Sequence, residues 1–141
     1  MRTCVLYFSR TGNTKLMAEA ISDSIKAPAF DIASSEPSVT ENFDMLILGT
    51  PVEGSRPPRE TLAFIERLPK TEGKKAILFC TYALLKGITF KMLAKELANK
   101  GYDIILSVSK KGVKPNETDF SDILDEIKKC LKNSLYIRKL F

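Results

Sequence analysis

What most limits the folds open to this chain is a rhythm in its sequence. Short, unbroken apolar runs alternate with longer amphipathic segments from one end to the other. Thr3 to Phe8 is such a run, and so is Phe43 to Gly49, with Met45-Leu46-Ile47-Leu48 at its centre. Ala76 to Cys80 and Tyr102 to Val108 repeat the pattern, and Ala29 to Ala33 is a shorter version. A strand that is apolar on both faces is covered on both faces, as in a parallel sheet flanked by helices. The segments between have helical spacing. From Asn13 to about Lys26, Leu16, Met17, Ala20, Ile21 and Ile25 share one face, and Pro28 stops the helix. Arg59 to Leu68 is entered through Pro57-Pro58. Thr89 to Lys100 turns Phe90, Leu93, Ala94 and Leu97 inward and closes at Gly101. Asp119 to about Lys132 does the same with Ile123, Leu124, Ile127 and Leu131. Ser34 to Asn42 is polar, contains Pro37, and has room only for a short helix.

Strands alternating with helices imply parallel strands and crossover connections, and right-handed crossovers place helices on both faces. The expected fold is α/β: a three-layer, doubly wound, five-stranded parallel sheet of order 2-1-3-4-5, forming a single domain over residues 1–141. Ligands of such sheets bind where the strand order reverses, at the carboxyl ends of strands 1 and 3. Three loops open there: Ser9 to Thr14, Thr50 to Pro58 and Thr81 to Gly87.

Composition removes several functions. The chain has no histidine, so Ser-His-Asp, Cys-His and histidine-based metal sites are excluded. Its three cysteines form no C-x-x-C pair, and an odd number argues against a disulfide framework. No apolar run approaches the roughly 20 residues that span a bilayer, and the N-terminal run is too short for a signal peptide. No transmembrane segment and a cytoplasmic location are expected. The net charge is +5, but the lysines are dispersed, which describes a solvated surface better than a nucleic-acid site.

The first loop carries chemistry. Ser9-Arg10-Thr11-Gly12-Asn13-Thr14 leaves a buried strand and opens a helix. The first amides of a helix lack internal partners and, with the helix dipole, favour an anion. Ser9, Thr11 and Thr14 add hydroxyls, Asn13 can cap the helix or donate to the anion, and Gly12 permits a tight turn. A phosphate can be held there without an essential cation. The triphosphate pattern G-x-x-x-x-G-K-[ST] and the dinucleotide pattern G-x-G-x-x-G are both absent.

With these residues in view, the chain resembles the flavodoxin-like family. Val5-Leu6-Tyr7-Phe8-Ser9-Arg10-Thr11-Gly12-Asn13-Thr14 is similar to that family's strand followed by S/T-x-T-G-x-T. Leu46-Ile47-Leu48-Gly49-Thr50-Pro51-Val52 is similar to its third strand and second cofactor loop. The resemblance implies FMN as cofactor. Its phosphate would lie on Ser9, Arg10, Thr11, Gly12, Asn13 and Thr14. Its ring would lie between Thr50, Pro51, Val52, Glu53, Gly54 and Ser55 on one side and Thr81, Tyr82, Ala83 and Gly87 on the other. Backbone groups at Glu53-Gly54 would neighbour flavin N5. Tyr82 is the one aromatic in these loops able to stack on the ring, since the chain has no tryptophan. Leu84 and Leu85 would either cover a ring edge or obstruct it.

The function implied is an electron carrier between redox partner proteins, the flavin supplying the chemistry. No acid–base constellation stands out, so no catalytic residue is assigned. A basic carrier implies a partner with an acidic docking face. Arg56 and Arg59 flank the second loop and keep open an FMN-dependent NAD(P)H or quinone oxidoreductase; a binding module that has lost flavin is a third reading. Lys110, Lys111 and Lys114 form a further basic loop, within Lys110 to Thr118. The alternating tail Ser134 to Phe141 either packs back or meets a partner or membrane surface.

Overall fold

The computed structural model describes residues 2–112 and 119–140, with side chains as far as residue 134. Five parallel strands form one sheet in the order β2-β1-β3-β4-β5. They are β1 (Thr3–Tyr7), β2 (Ala29–Asp31), β3 (Met45–Pro51), β4 (Lys74–Tyr82) and β5 (Tyr102–Lys111). The helices are α1 (Asn13–Ile25), α2 (Arg59–Glu66), α3 (Thr89–Asn99) and α4 (Ser121–Leu140). The expected fold and strand order are therefore what the chain adopts.

Alternation along each strand feeds two cores. Cys4, Leu6, Leu46, Leu48, Ala76 and Leu78 point to one face, where Phe64 and Ile65 of α2 and Leu93 and Leu97 of α3 cover them. Val5, Tyr7, Met45, Ile47, Ile77 and Phe79 point to the other, under Met17 and Ile21 of α1 and Ile123 and Ile127 of α4. Each large side chain so buried contributes about 1.5–3 kcal/mol. Gly49 has a packing role here. It lies opposite Phe79 in the ladder, and a Cβ on it would fall 1.9 Å from the Phe79 ring.

Several boundaries differ from the sequence expectation. β2 ends at Asp31, where the Asp31 carboxylate accepts the Ala33 amide and starts a one-turn 3-10 helix. A second 3-10 segment, Pro37–Asn42, fills the polar stretch before β3. β4 extends through Thr81 and Tyr82, and β5 through Lys110 and Lys111, so these four residues are strand ends, not loop. β5 lies at the rim of the sheet, where a strand needs no unbroken apolar run. Its pairing slips by one residue between Ala76 and Ile77, leaving Ile105 as an extra residue, a β-bulge. The tail from Ser134 continues α4 to Leu140. Lys114 and the remainder of 113–118 lie outside the described residues. No helix among those described is long and apolar enough to cross a membrane.

Candidate functional site

β1 and β3 stay joined to their ends, where the Phe8 amide donates to the Gly49 carbonyl at 3.1 Å. The chain then turns through Gly12, at φ +103°, into α1. A Cβ on Gly12 would meet nothing within 4 Å, so glycine is required there by backbone conformation alone. The amides of Gly12 and Lys15 both donate to Ser9 Oγ, each at 3.2 Å. Two backbone donors thus converge on one oxygen at a helix N-terminus, the arrangement an anion's oxygen would use. The donor set fits a phosphate: main-chain N–H groups, exposed Thr11, and Ser9 able to turn its hydroxyl outward.

Two of the expected phosphate residues are committed elsewhere. Thr14 is buried, and its hydroxyl lies 2.7 Å from that of Thr81. One proton closes that pair and the other is left to donate. The Asn13 side chain does not cap α1; its amide donates to the Gly112 carbonyl at 2.8 Å, and the Gly112 amide donates to Tyr82 O at 3.1 Å. These bonds bind the first loop to the ends of β4 and β5.

Arg10 turns away from the loop it belongs to. Its Nε and Nη2 donate to the two carboxylate oxygens of Glu53 at 2.6 and 3.0 Å, and Nη2 also donates to Glu60 at 2.6 Å. Its guanidinium carbon stands 5.0 Å from the centre of the Phe8 ring. The two carboxylates drive the guanidinium pKa further up. The Glu60 carboxyl is held below the usual range, first by its own backbone amide at the start of α2 and then by Arg10.

The second loop leaves β3 at Thr50 and Pro51, which are strand residues. Thr50 is fully buried and its hydroxyl pairs with that of Thr61 on α2 at 2.9 Å. Val52 donates to the Thr81 carbonyl at 3.0 Å. Glu53 and Arg56 then exchange two backbone hydrogen bonds, of 2.8 and 3.1 Å, across Gly54 and Ser55. Gly54 at φ +57° and Ser55 at φ +65° make this a type I′ turn. Ser55 carries a Cβ in the left-handed region, at a cost of about 1–2 kcal/mol.

The third loop is fastened to that turn. Ile88 N–H donates to Ser55 O at 2.9 Å, and a Cβ on Gly87 (φ +58°) would fall 2.2 Å from the same oxygen. Tyr82 is half-buried, with Lys86 Nζ 5.8 Å from its ring centre. Ala83 is exposed, and Leu84 and Leu85 stand in solvent at 83% and 69% exposure. The two leucines neither pack over the loops nor enter a core cluster.

The three loops predicted to share one end of the sheet do so. Sequence reasoning missed Glu60 and Thr61, whose partners Arg10 and Thr50 lie 50 and 11 residues away. The one local signal was an acidic residue in the first turn of α2.

A glycine-capped loop at the switch point of a doubly wound sheet, with two further loops at the same end, places this chain in the class of α/β proteins that bind ligands at the carboxyl ends of their strands. Comparison with known proteins narrows the class. The model of the flavodoxin domain family matches residues 4–107, and the chain belongs to that family. FMN is the family's cofactor, and its members are flavin-binding electron-transfer proteins. An uncharacterized protein of Methanocaldococcus jannaschii is 28% identical, over 94% of this chain and all of its own length. The flavodoxin of Megasphaera elsdenii is 34% identical over 55% of this chain and 63% of its own. That protein's two-electron-reduced solution structure superposes with a TM-score of 0.70 at 24% identity, covering 79% of this chain and 88% of the other. Oxidised flavodoxin 1 of Bacillus cereus gives 0.67 at 24% identity, covering 100% and 99%.

Proposed function

We propose that this chain is a single-domain, FMN-binding electron carrier between protein partners. The observation that carries this reading is the convergence of the Gly12 and Lys15 amides on one oxygen position at the end of β1. The second loop at the same end of the sheet holds a left-handed turn with small residues, Gly54 and Ser55, at its two central positions. In the proposed complex Ser9, Thr11, Gly12 and Thr14 bind the phosphate. Thr50 to Ser55 and Thr81 to Gly87 enclose the ring, with the Gly54 peptide beside N5 and Tyr82 stacking on one face. The flavin supplies the electron chemistry; the protein orients it, excludes water and sets the charge around it. Among the described residues the carboxylates at these loops, Glu53 and Glu60, are both engaged by Arg10, which supports electron transfer over a proton-transferring reaction.

The partner proposed is a protein with an acidic face. Leu84, Leu85 and Ile88 form an exposed apolar ridge on the third loop. Exposed Lys86 and Lys91 lie within and beside it, and Arg56 adjoins Ser55 on the neighbouring turn. Arg56, Arg59, Lys86 and Lys91 take part in no ion pair among the described residues. An apolar centre with cations beside it suits an acidic rim, which steers encounter and orientation. Three free cysteines support a cytoplasmic setting. Unpaired Arg56 and Arg59 also favour a second reading, an FMN-dependent oxidoreductase whose arginines meet the phosphates of NAD(P)H.

Titration of the purified protein with FMN tests the whole. Quenched flavin fluorescence is expected, with riboflavin binding more weakly because it lacks the phosphate. A colourless protein that leaves FMN fluorescence unchanged rejects both redox readings. Steady NADPH oxidation with a quinone selects the oxidoreductase, and its absence in an FMN-loaded protein selects the carrier.

A further inference from the structure

We infer that Arg10 is a positioning residue that clasps the ring-side turn to the phosphate loop through Glu53 and Glu60, and that this clasp, not contact with phosphate, is its part in flavin binding. The inference rests on the reading of the site as an FMN site.

Three observations carry it. First, the guanidinium spends three hydrogen bonds on two carboxylates, 43 and 50 residues further along the chain. The fork on Glu53 is bidentate, a geometry that fixes orientation as well as distance. Phe8 lies under the guanidinium and limits where the side chain can swing. Second, Glu53 opens the type I′ turn, and that turn has two attachments to other loops. On one flank Ser55 O takes the Ile88 amide; on the other Glu53 takes Arg10. Without Arg10 the turn keeps, among the described residues, the Ser55–Ile88 bond and the neighbouring Val52–Thr81 bond. Third, the clasp offsets one of two negative charges. Glu53 adjoins the proposed N5 neighbour Gly54, and Glu60 shares the same guanidinium nitrogen. Left unpaired, two carboxylates would raise the cost of adding an electron nearby.

These side chains are 40–48% exposed, and an isolated pair at such exposure contributes little. The clasp differs because one cation serves two anions from separate elements, and because it restrains a turn with a left-handed serine. Lysine cannot reproduce it: it keeps the charge and loses the fork.

The experiment uses the full chain in two arms. In the flavin-free protein, hydrogen exchange is read at the Glu53 and Arg56 amides, which close the turn. Arg10→Gln and Glu53→Gln are each expected to speed exchange about tenfold, and the double variant no further. Arg10→Lys should speed it almost as much. Glu53→Gln changes few atoms and keeps the test available where Arg10→Gln fails to fold. In the flavin-loaded protein, Arg10→Gln should weaken FMN and riboflavin by the same factor, about 3–10-fold, and lower the midpoint potential. Arg10→Lys should restore the potential and not the affinity. Unchanged exchange in both Arg10 variants overturns the clasp and leaves an ordinary surface ion pair. Weakening of FMN alone, with exchange unchanged, overturns it in favour of a phosphate ligand. If no flavin binds, the functional reading fails while the exchange arm still decides the clasp.

Discussion

The Ser9–Thr14 loop, proposed to hold phosphate, and the two loops facing it rise from equally buried strands but are held in different ways. The first loop is wired into the fold. Gly12 is the N-cap of α1, Thr14 is bonded to buried Thr81, and Asn13 reaches the end of β5. The facing loops are held to each other at Ser55 and to the first loop through exposed Glu53 and Arg10. Ser55 meets Gly87 and Ile88, three of these turn residues have left-handed backbone, and Glu53, Arg56 and residues 83–87 are exposed. The contrast separates two tasks. A phosphate changes little during electron transfer, so its anchor can share the rigidity of the core. The surroundings of a ring that changes charge must adjust, and turns coupled to one another through few contacts can do so at low cost.

Perturbations of decreasing size test how far this division holds. The largest acts on the shared strands. Burial pushes Cys4 in β1 and Cys80 in β4 from 9.0 up to about 12. The unfolded chain therefore ionises first on raising the pH. The stability due to these thiols is complete below pH 9.0 and is lost toward pH 12, at about 1.4 kcal/mol per pH unit for each. Urea melts at stepped pH should show that slope, and Cys4→Ala with Cys80→Ala should flatten it. Equal slopes with and without the cysteines would deny that both loops stand on equally dry strands.

Gly87→Ala comes next. It puts a Cβ against the Ser55 backbone in a left-handed conformation, for about 3 kcal/mol in all. Thermal unfolding should register the loss, and FMN and riboflavin should weaken together. A loss confined to FMN would show that the ring loops also serve the phosphate. Thr11→Ala should do the reverse. It is expected to remove about 1.5–3 kcal/mol of FMN affinity, leaving riboflavin affinity and the melting temperature as they were. Thr14→Val strips a buried partner from Thr81 and should cost about 1–3 kcal/mol of stability. Adding Thr81→Val should cost less than a second full increment, a coupling that a double-mutant cycle measures. Smallest is Leu85→Ser. It should shift stability by less than about 0.5 kcal/mol while slowing stopped-flow electron transfer to an acidic-faced partner.

The strands and helices were legible because both cores follow strict alternation, as Cys4/Leu6 against Val5/Tyr7 show. Legibility stopped where packing stopped. Lys110 and Lys111 gave no apolar signal, yet they pair with Thr81 and Tyr82 at the end of β5. In the site, the S-x-T-G-x-T run was readable because its information is local. The destinations of Arg10, Asn13 and Thr14 were not, since their partners lie 43 to 99 residues away. Gly54 announced a turn; Ser55 in the same left-handed region did not, because serine seldom adopts it without support from outside the turn.

The bulge at Ile105 bears on how this molecule meets copies of itself. An open sheet offers two unpaired borders to any passing strand, and β2 and β5 are those borders here. β2 is only three residues long, too short a template. β5 is ten residues long, but the spare residue breaks its spacing and two lysines occupy its far end. A strand arriving from another chain could match no more than a few consecutive backbone groups before falling out of step. The irregularity thus works against sheet-to-sheet polymerisation in a crowded solution.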